Sequence, residues 1–430
     1  MSQFYSAFYR PDVIDRVLKE RKTAAELGFK ADIAKAVQGV PQVKIISHTD
    51  GARATEETVE VLVEVTETGV PLDFSAQTLR LNGAAQRASI APSGDGIETR
   101  RQDGRKVYRL PFQVRLSPGQ NELVAVSRNE NQTDGESAPV RLTFSGKAEA
   151  RARLFVLAVA IGDYASPKIN KLKFPVADAE SIIQALKAGE GRLYKEVVVK
   201  LLKDAAATPE GIAAAMERMG REMGPQDVFV LFYSGHGAII PGEHGRAPEY
   251  AMVLAEVADP TDGRDLLRNG MTRTQLQEKL SLNVLPAQKK VILLDSCNAG
   301  GAGGPDTYAM RGGGNDLSGE LKRLAHATGT SFLLSSGENE FSLEAKHLGH
   351  GVFAYSLLEG LAQGRADANG NGVVSLDELS AYVAPRAEQI SEQISKGQHT
   401  QHPRRELQGA DFPLGVPTAG FTLPPVPVKE

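Results

Sequence analysis

The chain has 430 residues, a formal net charge of −4 and a single cysteine, Cys297. Its length predicts two or three domains. The mild acidity gives no reason to expect the basic surface of nucleic-acid-binding proteins, and one cysteine excludes an intrachain disulfide or a zinc site of several thiolates. No apolar run reaches the ~20 residues of a membrane span, and residues 1–20 lack a signal-peptide core. We therefore expect a cytoplasmic protein without membrane or nucleic-acid partners.

The first 150 residues predict a helical segment followed by an all-β module. Apolar residues recur at helical spacing within residues 1–40, with Pro11 near the start of the predicted helix. Residues 41–147 contain short runs that alternate apolar and polar residues, such as ETVEVLVEVTETG, separated by turn residues. This pattern predicts a small β-sandwich, which resembles bacterial immunoglobulin-like modules. The module carries no catalytic constellation, and we interpret it as a spacer or as a docking site for a protein partner.

Residues 151–400 predict one α/β domain with a mainly parallel sheet flanked by helices. Continuous apolar runs, such as RLFVLAVAIGDY, DVFVLFYSGHG and KKVILLDSCNAG, are typical of strands buried on both faces. Helical stretches lie between these runs, and Thr208 and Thr272 fit helix N-caps. Strands that alternate with helices indicate βαβ units. The tail, residues 409–430, is rich in proline, so we expect it to be irregular.

Two of the predicted strands end in reactive side chains. DVFVLFY runs into Ser-Gly-His236-Gly, and KKVILL runs into Asp-Ser-Cys297-Asn. Ligands bind beyond the carboxyl ends of strands in open α/β sheets, so His236 and Cys297 can meet there if the two strands are neighbours. An imidazole lowers the thiol pKa from about 8.5 and prepares the thiolate for attack on a peptide carbonyl. The backbone N–H groups of Gly237 and Cys297 are candidate oxyanion donors, and His236 is the candidate acid for the leaving amine.

These motifs together resemble the caspase-like clan of cysteine peptidases. SGHG at the end of one strand is followed, 61 residues after its histidine, by the cysteine of DSCNAG. The segments FVLAVAIGDY and GHGVFAYSLLEGL are similar to the same family. The resemblance covers about residues 151–385 and is closer to bacterial orthocaspases and metacaspases than to animal caspases, whose cysteine box differs. It implies a caspase-like fold, a protein or peptide substrate and no organic cofactor.

The resemblance also implies a substrate preference. In metacaspases, an acidic pocket binds arginine or lysine before the scissile bond. Its carboxylates come from the position two before the cysteine and from an Asp early in the first helix, and these positions match Asp295 and Asp178. We therefore expect cleavage after Arg or Lys, through charge-assisted hydrogen bonds to both carboxylates. The alternative for Asp178 is a charge that complements the dipole of its helix.

A glycine-rich stretch follows the cysteine, from Gly300 to Gly314. Its composition favours a mobile loop that packs no core. Caspase-like enzymes often cut themselves in this region, and Arg311, before three glycines, is the candidate self-cleavage site. A plain flexible loop is the alternative.

A twelve-residue stretch between two predicted helices fits the EF-hand calcium loop D-x-[DN]-x-[DN]-G-x₅-E. We call it the calcium-loop motif. Its candidate oxygen ligands for Ca²⁺ are at Asp367, Asn369, Asn371, Val373, Ser375 and Glu378. The alternative is an Asn/Gly turn that keeps the shape without the ion.

Two hypotheses for the function remain open. The first is an Arg/Lys-specific cysteine endopeptidase, and the second is a catalytically silent caspase-fold scaffold or calcium-binding interaction protein. The presence of both His236 and Cys297 favours the first, because inactive relatives commonly lose one. A serine hydrolase is disfavoured, because the chain has no G-x-S-x-G motif. His244, His347 and His350 have no assigned role. Of two alternatives for His350, a residue that borders the cleft and a solvated loop residue, we favour the second.

Overall fold

The computed structural model describes residues 39–88, 94, 97–131, 133–145, 151–240, 249–298, 317–336, 342–409 and 411–427. At Cys297 and Asn298 it describes the backbone alone. The chain divides into two compact units, Met1–Ala148 with Ser281–Gln288 and Glu149–Leu280 with Lys289–Glu430. The helical segment expected over residues 1–40 lies outside the described residues, except for its last two positions. Within the described ranges, no helix is long and apolar enough to cross a membrane.

The first unit consists of two β-sheets. Its strands are β1 (Gln42–Ile45), β2 (Ala52–Ala54), β3 (Thr58–Thr66), β4 (Thr78–Leu81), β5 (Ala84–Arg87), β6 (Glu98–Gln102), β7 (Arg105–Arg115), β8 (Gly119–Arg128), β9 (Asp134–Glu136) and β10 (Val140–Phe144). One sheet has the order β1-β3-β7-β6, and the other has β2-β10-β8-β4-β5 with β9 paired to β8. Alternate residues face the core, as Val61, Val63 and Val65 do in β3. This arrangement agrees with the predicted β module.

The second unit is an α/β domain. Its strands are β11 (Leu154–Ala160), β12 (Val197–Lys203), β13 (Val228–Ile240), β14 (Glu249–Met252), β15 (Met271–Thr272), β16 (Lys289–Asn298), β17 (Thr330–Leu334), β18 (Glu344–Ala345), β19 (His350–Gly351), β20 (Val374–Ser375), β21 (Arg404–Glu406) and β22 (Pro413–Gly415). Its helices are α1 (Pro175–Lys187), α2 (Pro209–Glu222), α3 (Gly263–Asn269), α4 (Arg273–Lys279), α5 (Leu317–Thr328), α6 (Val352–Leu361) and α7 (Leu376–Ile394).

The main sheet of this domain has the order β12-β11-β13-β16-β17-β21. All neighbouring strands from β12 to β17 are parallel, and β21 joins β17 antiparallel. The inner strands β11, β13 and β16 contain continuous apolar runs because helices cover the sheet, and every residue of β11 is buried. Val156, Val230 and Val291 pack with Ile182 of α1 and Phe353 of α6 in one hydrophobic core. The predicted α/β architecture, a mainly parallel sheet flanked by helices, is confirmed.

The predicted helix starts at Thr208 and Thr272 are confirmed. The Thr208 hydroxyl accepts a hydrogen bond from the N–H of Gly211, and Pro209 is the first residue of α2. Thr272 and Gln275 form both hydrogen bonds of a capping box at the start of α4. These signals were readable in the sequence because each cap involves residues only three apart.

The proline-rich tail is more ordered than the sequence analysis expected. Its strand β22 pairs antiparallel with β20, and Phe412 and Leu414 belong to the main hydrophobic core. Tyr355 donates a hydrogen bond of 2.7 Å to the carbonyl oxygen of Pro424. The tail has little regular secondary structure, but Phe412, Leu414 and Val416 are buried against the domain.

Candidate active site

The segments of β13 and β16 that carry His236 and Cys297 lie side by side. His236 is not at the strand end that the sequence predicted, because β13 continues to Ile240 and pairs there with β14. The parallel ladder pairs Ser234 with Asp295, and it pairs His236 with Cys297. The condition that the two strands be neighbours is therefore met. Because β13 and β16 are central strands of the sheet, both positions are held by hydrogen-bonded backbone on a rigid scaffold.

The imidazole of His236 is buried and has a defined orientation. Its Nε2 lies 2.8 Å from the carbonyl oxygen of Asn170. A carbonyl oxygen only accepts hydrogen bonds, so Nε2 carries the hydrogen, and in the neutral ring Nδ1 has the free lone pair. Nδ1 is buried without a hydrogen-bond partner among the described residues. The ring thus presents a buried nitrogen base, with its tautomer set by Asn170.

The loop before α1 holds His236 from a second side. The Tyr164 hydroxyl accepts the backbone N–H of His236 at 2.8 Å, and the two rings lie 5.1 Å apart between centroids. A Cβ on Gly235 would lie 2.8 Å from the Tyr233 hydroxyl and 3.1 Å from that of Tyr164, so glycine leaves room for both. This loop is fixed in turn by Asp204, whose Oδ1 accepts backbone N–H groups from residues 162 and 163 at 2.9 Å.

Burial lowers the pKa of His236 below its usual value of 6.5. The hydrogen bond to the Asn170 carbonyl and the charge of Glu344 act in the opposite direction and are smaller. The ring is therefore biased toward the neutral form, which is the form that a general base requires.

The two proposed oxyanion donors lie at the same edge of the sheet. Gly237 is buried and pairs with Met252 of β14 and with Asn298 of β16. Cys297 lies one residue before Asn298 on β16, and its side chain lies outside the described part of the chain. The role of both N–H groups stays a prediction.

An acidic cluster lies next to this edge, and it contains both carboxylates predicted for the pocket. Asp178 is in the first turn of α1, Asp295 is near the end of β16, and both are buried. One oxygen of each carboxylate faces Gly351: a Cβ on that glycine would lie 3.1 Å from Asp295 Oδ2 and 3.3 Å from Asp178 Oδ2. The structure thus brings together two carboxylates that are 117 positions apart in the chain.

Both carboxyl groups have raised pKa values. Burial raises the pKa of Asp178 to about 6, against hydrogen bonds from His350 and the N–H of Gly351 that lower it. Burial and then the charge of Asp178 raise the pKa of Asp295 to about 7, against a hydrogen bond from Ser342. Ionised carboxylates in this cluster are thus under-compensated, and a cationic group would stabilise them.

The partners of these carboxylates, His350 and Ser342, were not predicted, and the interpretation of His350 as a solvated loop residue is wrong. His350 is not a solvated loop residue: it lies in β19, its side chain is 12% exposed, and its Nδ1 is 2.6 Å from Asp178 Oδ1. Ser342 donates to Asp295 Oδ1 at 2.6 Å. The GHG context of His350 indicated only a turn, because its partner is 172 positions away.

The calcium-loop motif is folded around its own side-chain oxygens. The two carboxylate oxygens of Asp367 accept N–H groups from Asn371 and Gly372, at 3.1 and 2.8 Å. Glu378 Oε1 accepts the side-chain amide of Asn369 at 2.7 Å. No group of three His, Cys, Asp or Glu side chains suits a metal within the described ranges, so Asn, Ser and backbone oxygens would complete this site. Such hard oxygen donors fit calcium.

The remaining predicted residues divide into two groups. Arg311, the candidate self-cleavage site, and His244 lie outside the described residues. His347 is exposed on the turn between β18 and β19.

A family model described as Caspase domain matches residues 153–407, more than half of the chain. Among solved structures, a protein from Geobacter sulfurreducens is 18% identical, and the match covers 60% of this chain and 94% of that chain at a TM-score of 0.39. Pro-sf-caspase-1 is 11% identical, with coverages of 60% and 92% and a TM-score of 0.36. Fibronectin(III)-like modules of Clostridium thermocellum CbhA are 12% identical, with coverages of 25% and 48% and a TM-score of 0.16. None of the curated proteins matches the chain.

Proposed function

The chain belongs to the caspase-domain family, and on that basis we propose that it is a cysteine endopeptidase that cleaves after Arg or Lys through His236 and Cys297. The observation that carries the proposal is the register of β13 and β16, which pairs these two positions on neighbouring parallel strands. The family implies a protein or peptide substrate.

The chemistry follows from the state of His236. Nδ1, the ring nitrogen without a partner among the described residues, accepts the thiol proton of Cys297. The thiolate adds to the peptide carbonyl, and the N–H groups of Gly237 and Cys297 bind the oxygen that becomes negative. The C–N bond then breaks, His236 gives its proton to the leaving amine, and a thioester remains. Water activated by His236 hydrolyses the thioester and restores the thiol.

The preference for a basic side chain rests on the acidic cluster. Asp178 and Asp295 are buried, and each has an oxygen within 3.3 Å of one point beside Gly351. A guanidinium or ammonium group there would meet two carboxylates in a site of low dielectric, where an ion pair is strong. By the same preference, Arg311 in the glycine-rich stretch is the proposed site of self-cleavage.

Fluorogenic peptides with Arg, Lys or Asp before the scissile bond test this proposal. Wild type is expected to cleave the Arg and Lys peptides, and Cys297→Ala to cleave none, with His347→Ala as an exposed control that retains activity. An Arg-chloromethylketone should label wild type at Cys297, as read by peptide mass spectrometry. Preference for Asp would overturn the proposed specificity, and equal cleavage by Cys297→Ala would overturn the proposed nucleophile. Mass spectrometry that finds active enzyme uncut at Arg311 would reject self-cleavage there.

Calcium binding at the calcium-loop motif is a second proposal, and it holds for an active or a silent enzyme. It is favoured by the fold of the loop, in which Gly370 and Gly372 have φ angles of +70° and +78° and Asp367 accepts two backbone N–H groups. The ion would be held by oxygens of Asp367, Asn369, Asn371, Ser375 and Glu378 and by the Val373 carbonyl.

A further inference from the structure

Each carboxylate of the acidic cluster has one oxygen fixed by a donor from a single segment of the chain, residues 342–351. His350 Nδ1 lies 2.6 Å from Asp178 Oδ1, and the Ser342 hydroxyl lies 2.6 Å from Asp295 Oδ1. An ionised carboxylate only accepts hydrogen bonds, so in that state His350 is the donor to Asp178. When the two carboxylates are ionised, both contacts are charge-assisted hydrogen bonds, a strong class.

Because Oδ1 of each carboxylate is held, the direction of Oδ2 is fixed as well. The two Oδ2 atoms lie beside Gly351, with Asp295 Oδ2 at 3.1 Å and Asp178 Oδ2 at 3.3 Å from the position of a Cβ on that residue. The N–H of Gly351 also donates to Asp178 Oδ2 at 3.3 Å. Residues 342–351 therefore hold both carboxylates with one acceptor oxygen of each beside Gly351, where any larger side chain would crowd them.

The segment that carries these donors is anchored to the domain. β18 and β19 pair antiparallel, and Leu348 and Val352 lie in a small hydrophobic cluster with Ile390 of α7. Glu344 of β18 accepts the backbone N–H groups of residues 173 and 174, at 2.8 and 3.0 Å, immediately before the helix that carries Asp178. The donors are thus held in position relative to the carboxylates, as a preorganised site requires.

We propose that His350 is a positioning residue for substrate selection: it holds Oδ1 of Asp178 so that Oδ2, together with Oδ2 of Asp295, receives the cationic side chain of the substrate. The inference rests on the proposed function, since it takes the two carboxylates as the site for that side chain. It adds a role that neither the sequence nor the family match assigns. His350 acts through Asp178, and the two fixed oxygens suit the paired N–H groups of a guanidinium.

Two peptides that differ only in charge test this role. One has Arg before the scissile bond, and the other has citrulline, which keeps the shape but not the charge. For His350→Ala we expect the ratio of kcat/KM for the Arg peptide to kcat/KM for the citrulline peptide to fall about tenfold. The fall should come from a higher KM for the Arg peptide, and kcat should stay within about twofold of the wild-type value. His350→Asn, which retains a side-chain N–H donor near the position of Nδ1, should restore most of the ratio. His347→Ala, on the same hairpin, should leave the ratio unchanged.

The outcomes separate this inference from the proposed function. Suppose that wild type prefers the Arg peptide, and that His350→Ala keeps the same Arg/citrulline ratio of kcat/KM or loses activity on both peptides equally. The positioning role is then overturned, and the Arg/Lys specificity stands. If wild type does not prefer Arg over citrulline, both are overturned. His350→Leu, which retains bulk and lacks the donor, replaces His350→Ala if the smaller side chain prevents folding.

Discussion

The Nε2–H group of His236 donates a hydrogen bond of 2.8 Å to the carbonyl oxygen of Asn170, 66 positions earlier in the chain. This contact fixes which ring nitrogen is the base, and burial favours the neutral ring. A backbone acceptor has no side chain to lose, so the tautomer depends on the loop that carries Asn170 rather than on the identity of residue 170.

Removal of the proposed base should abolish most of the activity without unfolding the protein. For His236→Ala we expect kcat/KM for an Arg peptide to fall by about 10²–10⁴, because general acid–base catalysis typically contributes that much. Steady-state kinetics measures the fall, and thermal denaturation confirms that the variant is folded. His347→Ala is the matched control, because His347 is an exposed histidine of the same unit. Wild-type kinetics in His236→Ala would remove the histidine from the mechanism.

The affinity for basic substrates should depend on pH. The pKa values of about 6 for Asp178 and about 7 for Asp295 mean that both carboxyls lose protons between mildly acidic and mildly basic pH. A cationic side chain binds the ionised forms, so KM for an Arg peptide should fall roughly tenfold from about pH 5.5 to pH 8. The citrulline peptide should show little change in KM. A KM for the Arg peptide that is flat over this range would contradict the predicted pocket.

The charge of Asp295 should reduce stability. Its pKa of about 7 lies above the ordinary 3.8, so between these pH values the folded protein binds a proton that the unfolded chain does not. Stability contributed by this group is therefore lost as the pH rises through that window. For Asp295→Asn, which still accepts from Ser342, we expect a Tm roughly 2–6 °C higher at pH 8 and nearly unchanged at pH 4.

Thermal denaturation at the two pH values measures this effect. Asp163→Asn, which removes a carboxylate that is 65% exposed, is the control and should change Tm little at either pH. A lower Tm for Asp295→Asn at pH 8 would mean that the ionised group is well compensated in the folded state.

Because of Lys290, the free energy of unfolding should rise with pH between about pH 7 and pH 10. It is 1% exposed, its Nζ has no hydrogen-bond partner in the described part of the chain, and burial lowers its pKa from 10.5 to about 7. Between these values the unfolded chain binds the extra proton, so stability rises from pH 7 toward pH 10. Lys290→Met keeps the length of the side chain without the amine, and we expect it to raise Tm at pH 7 by several degrees, with a smaller gain at pH 9.5.

The neighbouring Lys289→Met provides the comparison, because Lys289 is exposed. It should change neither Tm nor its dependence on pH. If Lys290→Met is no more stable than wild type at pH 7, then Nζ of Lys290 is well solvated or paired in solution and the prediction is wrong.

The calcium-loop motif should bind Ca²⁺ through Glu378. Terbium luminescence and calorimetric titration with CaCl₂ measure binding, and for Glu378→Gln we expect the affinity to fall at least about tenfold. Gln can still accept the backbone N–H of Ser375, so the capping box at the start of α7 is retained. Glu388→Gln on the same helix is the matched control. No heat and no terbium signal with wild type would leave the loop as a structural turn.

Much of the local structure was predictable from the sequence. The apolar runs of β13 and β16, the alternation in β3 and the caps at Thr208 and Thr272 each depend on residues a few positions apart. The same runs placed His236 and Cys297 directly after the apolar stretches of two strands, although β13 continues past His236 to Ile240. Such short-range patterns reflect burial and hydrogen bonding within one element, so one sequence suffices to read them.

The tertiary structure alone decided which distant residues meet. The strand order that makes β13 and β16 neighbours, the contact of His350 with Asp178 and the burial of Phe412 in the core all join positions far apart in the chain. Nothing in the residues around His350 indicates a buried carboxylate partner, and nothing near Phe412 indicates the core it fills. Pairings of this kind are set by how helices and strands pack as a whole, because the free energy that selects them comes from burial shared among many elements.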